Sequence, residues 1–161
     1  RRARGREKGR RTGGSGDFVR GDAGRRPCPD DSLDAVFARR FFHLADTPTA
    51  YLSEMARVAR EQVFFDTFNA GSVRLLYNWA LPMGSRLYDR EEVTDLFAEV
   101  ELRRTNENHD FVLPFGFYRK IPNRVADEFR EVDMAVGKTS VGDRLASVSY
   151  WDARVADSER A

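Results

Sequence analysis

Cysteine and histidine are scarce in this chain: one and two among 161 residues. Each scarcity removes a class of explanation. Cys28 alone makes no intrachain disulfide, so a reduced, cytosolic setting fits. With no histidine near it in sequence, a nucleophilic thiol there lacks its base. The two histidines, His43 and His109, fall in no cluster with metal-ligand spacing. No apolar run reaches the length of a membrane span, and the start carries no secretory pattern. Arg20-Gly21-Asp22 spells an adhesion tripeptide, but that reading needs an exposed extracellular loop and sits badly with the rest of the chain.

Charge is abundant and uneven. Residues 1–26 hold ten Lys/Arg and three Asp/Glu, while the whole chain nets only +1. A basic arm can meet phosphates. Residues 1–16, however, have no aromatic to stack on bases and several glycines that oppose a helix. A flexible basic leader over 1–16 is expected, without a nucleic-acid partner. The remainder divides into one domain over 17–155 and a short tail over 156–161.

Along that domain, residues 17–19 are strand-like and 20–32 are loop, rich in Gly, Pro and Asp. Residues 33–37 read as a buried strand. Thr47 before Pro48 suits a helix start, with Leu52, Met55, Ala56 and Ala59 at helical spacing to about Arg60. Residues 62–68, QVFFDTF, form a continuous apolar run that suits a central parallel strand. Residues 69–81 read as helix. Asp89 with Glu92 is a capping box, and Tyr88 with Val93 a hydrophobic staple, for a helix to about Val100. Residues 102–109 are strand-like but very polar, which places them near a sheet edge. Val125, Phe129, Val132 and Val136 mark a further helix, and residues 146–155 a last strand. Strands alternating with helices predict an α/β sheet with crossovers.

Three pieces in this order, Gly21-Asp22-Ala23, the stretch from Pro27 to Phe37 (PCPDDSLDAVF) and the stretch from Tyr51 to Phe65 (YLSEMARVAREQVFF), resemble class I S-adenosylmethionine-dependent methyltransferases of the small-molecule group. The resemblance runs from about Asp17 to Val155. It implies a Rossmann-like sheet, mostly parallel with one antiparallel strand, of family order 3-2-1-4-5-7-6. The family's opening strand, its GxGxG turn and the acidic residue that follows are not found in the sequence. Residues 12–16 do not replace them, since no apolar strand precedes. The resemblance therefore implies an N-terminally truncated domain without the first two strands, its fourth strand left at an edge.

The same resemblance assigns roles. Asp22 would accept from the adenine amino group, and the Ala23 amide would meet a ring nitrogen. As a bare residue, Asp22 is equally a turn-former. Ala38 and Arg39 would contact the methionine end of the cofactor. His43 would act as catalytic base or orient the acceptor, the other reading being a histidine that satisfies local backbone. Asp66, inside an apolar strand, must be paired or have a raised pKa, in a functional role or simply hydrogen-bonded to the next loop. Asn69, Tyr77, His109, Tyr118 and Arg119 would meet the substrate, and Phe41, Phe42 and Phe115 would line an apolar pocket or belong to the core. The cofactor implied is S-adenosyl-L-methionine, without a metal, and the partner a small-molecule acceptor of lipophilic or aromatic character. The alternative is a non-catalytic Rossmann-like interaction module.

Overall fold

The structure, a computed structural model, describes residues 20–72, 74–75, 85–110, 112, 121–137 and 139–156. The strand expected at 17–19, the basic leader, most of the helix expected at 69–81, and Tyr77, Phe115, Tyr118 and Arg119 lie outside them.

Four strands form one sheet: β1 (Leu33–Ala38), β2 (Ala59–Phe68), β3 (Leu102–Asp110) and β4 (Val148–Val155), in the order β1-β2-β4-β3. β1 and β2 pair in parallel; β4 lies antiparallel between β2 and β3. This matches the 4-5-7-6 half of the expected order. β3 sits at an edge, as its polar sequence predicts, because one side of an edge strand stays in water.

Around the sheet lie a 3-10 turn (Phe42–Leu44), α1 (Pro48–Val58), α2 (Arg90–Glu99), α3 (Asn123–Gly137) and α4 (Ser140–Leu145). The core occupies the sheet face that α1 and α2 cover. Val63, Phe65, Trp151 and Ala153 meet Leu52, Met55 and Val58 of α1 and Val93, Leu96 and Phe97 of α2. An aromatic chain runs through it, with ring centroids 4.5 Å apart for Phe42–Phe65, 5.6 Å for Phe65–Phe97 and 6.0 Å for Phe97–Trp151. Asp89 caps α2 as expected, accepting from the Glu92 N–H at 2.7 Å.

Several local expectations need correction. β1 is not buried: only Val36 is, and Phe37 is 67% exposed. Among the described residues β1 has a strand on one side only, so its other edge stands open. α1 ends at Val58, and β2 starts at Ala59 rather than Gln62, because Ala59 already has extended backbone. Thr47 occupies the cap position without a side-chain cap bond. Its own N–H and hydroxyl both point to Asp46 Oδ1. In α3 the expected apolar stripe is exposed at Val125, Phe129, Val132 and Val136. The helix is fastened instead by its polar side: Arg130 donates to both oxygens of Asp110 at 2.8 and 2.7 Å, and to the buried Asp133 at 3.3 Å.

Candidate functional site

Open α/β sheets bind ligands beyond the carboxyl ends of their parallel strands. Here that edge is continuous from the turn at Asp22 to the end of β3.

At one side the chain folds back between Asp22 and Arg25, whose N–H meets the Asp22 carbonyl at 3.3 Å. Asp22 Oδ1 accepts from the Gly24 N–H at 2.9 Å. Asp22 is thus a turn-former, as its type allows. The turn uses the N–H groups of Gly24 and Arg25; that of Ala23 takes no part in it. The turn packs against α1 at Gly24, where a Cβ would lie at ordinary contact distance, 3.4 Å, from the Tyr51 ring. Tyr51, in the first turn of α1, also stacks edge-on against Phe41 at 5.0 Å and donates its O–H to Asp46 at 2.9 Å. One tyrosine therefore ties the Asp22 turn to the loop after β1.

That loop is anchored from below. Asp66 is buried within β2 and accepts from the Arg40 N–H, at a position where Arg40 has a left-handed φ of 54°. The carboxylate in the apolar strand is therefore paired, as expected, and it sets the path of Ala38 and Arg39. His43 follows in the 3-10 turn. Its ring lies 4.5 Å from that of Phe68, the last residue of β2, and its carbonyl accepts from the Arg86 N–H at 2.9 Å. The Arg74 guanidinium stands 3.4 Å over the same Phe68 ring. Burial first, then Arg74, hold the His43 pKa below its ordinary value; Asp66 opposes them and Arg40 adds to them. The ring is therefore neutral at pH 7 and able to take a proton.

Asn69 continues directly from Phe68 into a cleft of about 260 Å³ between β2, β3, β4 and the start of α2. Asn69 Oδ1 accepts from the Gly71 N–H at 2.8 Å, and its Nδ2 donates to the Arg144 carbonyl at 3.2 Å. His109 lines the same cleft. Its Nδ1 meets Ser149 Oγ at 3.0 Å and its Nε2 meets Glu107 Oε1 at 2.9 Å. Glu107 also accepts from Arg90, through Nε at 2.9 and 3.0 Å and Nη2 at 2.7 Å, and from Arg104 at 3.0 Å. Two-residue alternation in β3 sets Glu107 and His109 on one face, and register sets Ser149 opposite His109 and Trp151 opposite Glu107.

The structure thus brings Asp22, Ala23, Ala38, Arg39, His43, Asn69 and His109 to one edge in two groups, with His43 and Phe68 between them. The sequence reading missed Glu107, Ser149 and Trp151. The spacing of Glu107 and His109 was a usable signal, since alternate residues of a strand share a face. Ser149 carried none, because its partner is set by register.

Comparison with known proteins agrees with this layout. Residues 1–65 match the sequence profile of a family described as a methyltransferase domain. No curated protein matches the chain. Among solved structures, the chain is similar to an S-adenosylmethionine-dependent methyltransferase from Archaeoglobus fulgidus (TM-score 0.57, 15% identity, covering 84% of this chain and 66% of that one). It is similar to a structure of a Haloferax volcanii complex with the Trm112 methyltransferase activator (0.61, 16%, 96% and 68%). It is also similar to magnesium protoporphyrin IX methyltransferase from Synechocystis, solved with bound S-adenosylhomocysteine (0.59, 8%, 92% and 57%). The chain spans about three fifths to two thirds of the length of these three structures. The chain has the class I S-adenosylmethionine-dependent methyltransferase fold, and S-adenosylmethionine is the cofactor that this resemblance implies.

Proposed function

We propose that the chain carries the adenine-side and acceptor-side portion of a small-molecule methyltransferase, and that by itself it holds the cofactor weakly. The observation that carries this reading is the shared edge: the Asp22 turn, the Asp66-held loop, His43 and the Asn69–His109 cleft all face the ends of β1, β2 and β3. The residues at the turn fit an adenine ring. One Asp22 oxygen is spent on Gly24; among the described residues the turn engages neither the other oxygen nor the Ala23 N–H, which suits them to an amino proton and a ring nitrogen.

S-adenosylmethionine, when bound, supplies an electrophilic methyl group on sulfonium sulfur. The protein's part is to place an acceptor in line with it and to receive a proton where the acceptor must lose one; positioning of this kind is worth up to about 7–11 kcal/mol in the most favourable cases. His43, neutral at pH 7, takes that proton. Ala38 and Arg39 frame the side towards the cofactor's methionine end. Asn69 and His109 meet the acceptor, with Tyr77, Tyr118 and Arg119 as further candidates outside the described residues. The chain offers no Gly-rich turn after an apolar strand, and each missing hydrogen bond costs about 0.5–1.5 kcal/mol of affinity.

Calorimetry with S-adenosylhomocysteine tests this. The 161-residue chain is expected to bind weakly, and a form extended by what its gene encodes in frame upstream of Arg1 to bind tightly. In the extended form, Asp22→Ala should cost more affinity than His43→Ala, and His43→Ala should lower turnover more than affinity. An Asp22→Ala variant that binds as tightly as the parent would leave Asp22 a turn residue only.

A further inference from the structure

The cleft beyond Asn69 has a hydrogen-bonding polarity that follows from the His109 tautomer, which the partners of its ring assign. Glu107 accepts from Arg90, Arg104 and His109. A carboxylate only accepts, so His109 Nε2 carries its proton towards Glu107. In the neutral ring Nδ1 then has a lone pair, and the Ser149 hydroxyl donates to it. Ser149 thereby loses its only donor and keeps its acceptor capacity.

The other buried polar groups of the cleft are already committed. The Trp151 indole N–H donates to Thr67 Oγ1 at 2.8 Å, and the Tyr88 hydroxyl donates to the Phe42 carbonyl at 2.9 Å. Both amide ends of Asn69 are used on backbone. The two aromatic rings thus turn their polar handles inward and bound the cleft with apolar surface. A volume of about 260 Å³ falls just below the usual range of about 300–1,000 Å³ for ligand pockets, room for one ring rather than several.

We infer that this cleft is a recognition subsite for a single aromatic ring bearing a hydrogen-bond donor, a phenolic O–H or an aryl N–H, which Ser149 Oγ accepts because Glu107 and His109 fix its proton. The proposal deepens the methyl-transfer reading, on which it rests in calling the ligand part of the acceptor. Adjacent strands lie about 4.8 Å apart, so β4, two strands from β1, places Ser149 about 10 Å from the end where Ala38 and Arg39 stand. The ring held here is therefore a distal anchor, and the atom that is methylated lies elsewhere on the acceptor. Ser149 and His109 act as specificity-determining residues.

The test uses phenol and its O-methyl ether, anisole, titrated into the 161-residue chain while the Trp151 indole N–H resonance is followed by NMR. Phenol is expected to shift that resonance and to bind about tenfold more tightly than anisole, the worth of one net hydrogen bond. Ser149→Ala should bring phenol down to the anisole value and leave anisole unchanged. His109→Asn, which frees the serine hydroxyl to turn, should narrow the ratio. Equal binding of phenol and anisole, an unmoved Trp151 resonance, or a ratio that survives Ser149→Ala would each overturn the proposal. None of these readings needs the cofactor. Failure of the extended form to bind S-adenosylhomocysteine, with the phenol preference intact, would sink the methyl-transfer reading alone; tight binding by the extended form with the phenol preference absent would sink the anchor alone.

Discussion

The two sides of this sheet edge are held by different forces. The β2–β4–β3 side rests on buried aromatics: Phe65, Phe97 and Trp151 in ring contact, with Leu52, Met55 and Val93 closing around them. The loop over 26–31, just after the Asp22 turn, packs Cys28 against that core but contributes no aromatic to it. It is strapped to α1 by charge. Glu54 accepts from the Arg26 N–H and from Arg57 Nε and Nη2, both at 2.7 Å. Arg57 reaches on to Asp30 and to the Cys28 carbonyl at 3.0 Å, and its own carbonyl accepts from the Asp31 N–H at 3.0 Å. Apolar burial is cooperative and indifferent to pH; charged struts act locally and titrate. The cleft side should therefore fail only with the whole domain, and the adenine side should open by itself.

The largest expected effect breaks the aromatic side. Phe65→Ala removes the ring that joins Phe42 to Phe97, and truncating a buried phenylalanine costs about 3–5 kcal/mol. For a domain of this size that is a large share of the stability. Urea unfolding should show a much lower midpoint, with loss of structure in β2, β4 and α2 together. Loss confined to the loop over 26–31 would reverse the comparison.

A smaller effect sharpens the other side. Glu54→Gln keeps the shape but removes the charge, at about 1.5–3 kcal/mol for hydrogen bonds to a charged group, since Glu54 is buried while its partner Arg57 is partly exposed. Hydrogen exchange should quicken at residues 26–31 while β2 and β4 stay protected. The pH dependence has a definite sign. The hydrogen bonds from Arg57, ahead of the one from the Arg26 N–H, hold the Glu54 pKa at about 2 against the effect of burial, below an ordinary 4.5. The folded state thus releases a proton that the unfolded chain still holds. The stabilisation is complete above about 4.5 and is lost as pH falls towards 2. Wild type should lose stability through that window, and Glu54→Gln should lose less.

The two sides also differed in how far the sequence disclosed them. The apolar run of β2, the cap at Asp89, the polar edge strand and the last strand could be read directly. Each depends on neighbours in sequence: periodicity, a cap three residues away, a side facing water. The misreadings arose where distant parts decide. Ala59 is as good in a helix as in a strand, and it becomes strand because it pairs with Leu33. The stripe of α3 has a perfect helical period, yet Arg130 turns the other side inward to reach Asp110. Asp22 and His43 emerged through resemblance, and His109 with them. Ser149 stayed hidden because only the register of β4 against β3 makes it the partner of His109.

The smallest expected effect lies between the two sides, at His43. Burial and the Arg74 charge disfavour its protonated form in the folded state, so its pKa stands below the 6.5 of a free ring. Between those two values the unfolded chain binds a proton that the folded chain does not, and stability falls as pH drops. This contribution is fully present above about 6.5 and fades towards the lower folded value, a window that opens above that of Glu54. His43→Gln should flatten the slope near pH 6 and leave the acid window untouched. The causes can be separated by following the His43 ring protons by NMR. Arg74→Met removes a nearby positive charge and should raise the pKa towards 6.5, without reaching it while the ring remains on Phe68. Asp66→Asn removes the opposing negative charge and should lower it further. A wild-type ring that titrates at or above 6.5 would mean that Asp66 outweighs burial. His43 would then be part-charged at neutral pH, and a poorer proton acceptor than the edge geometry requires.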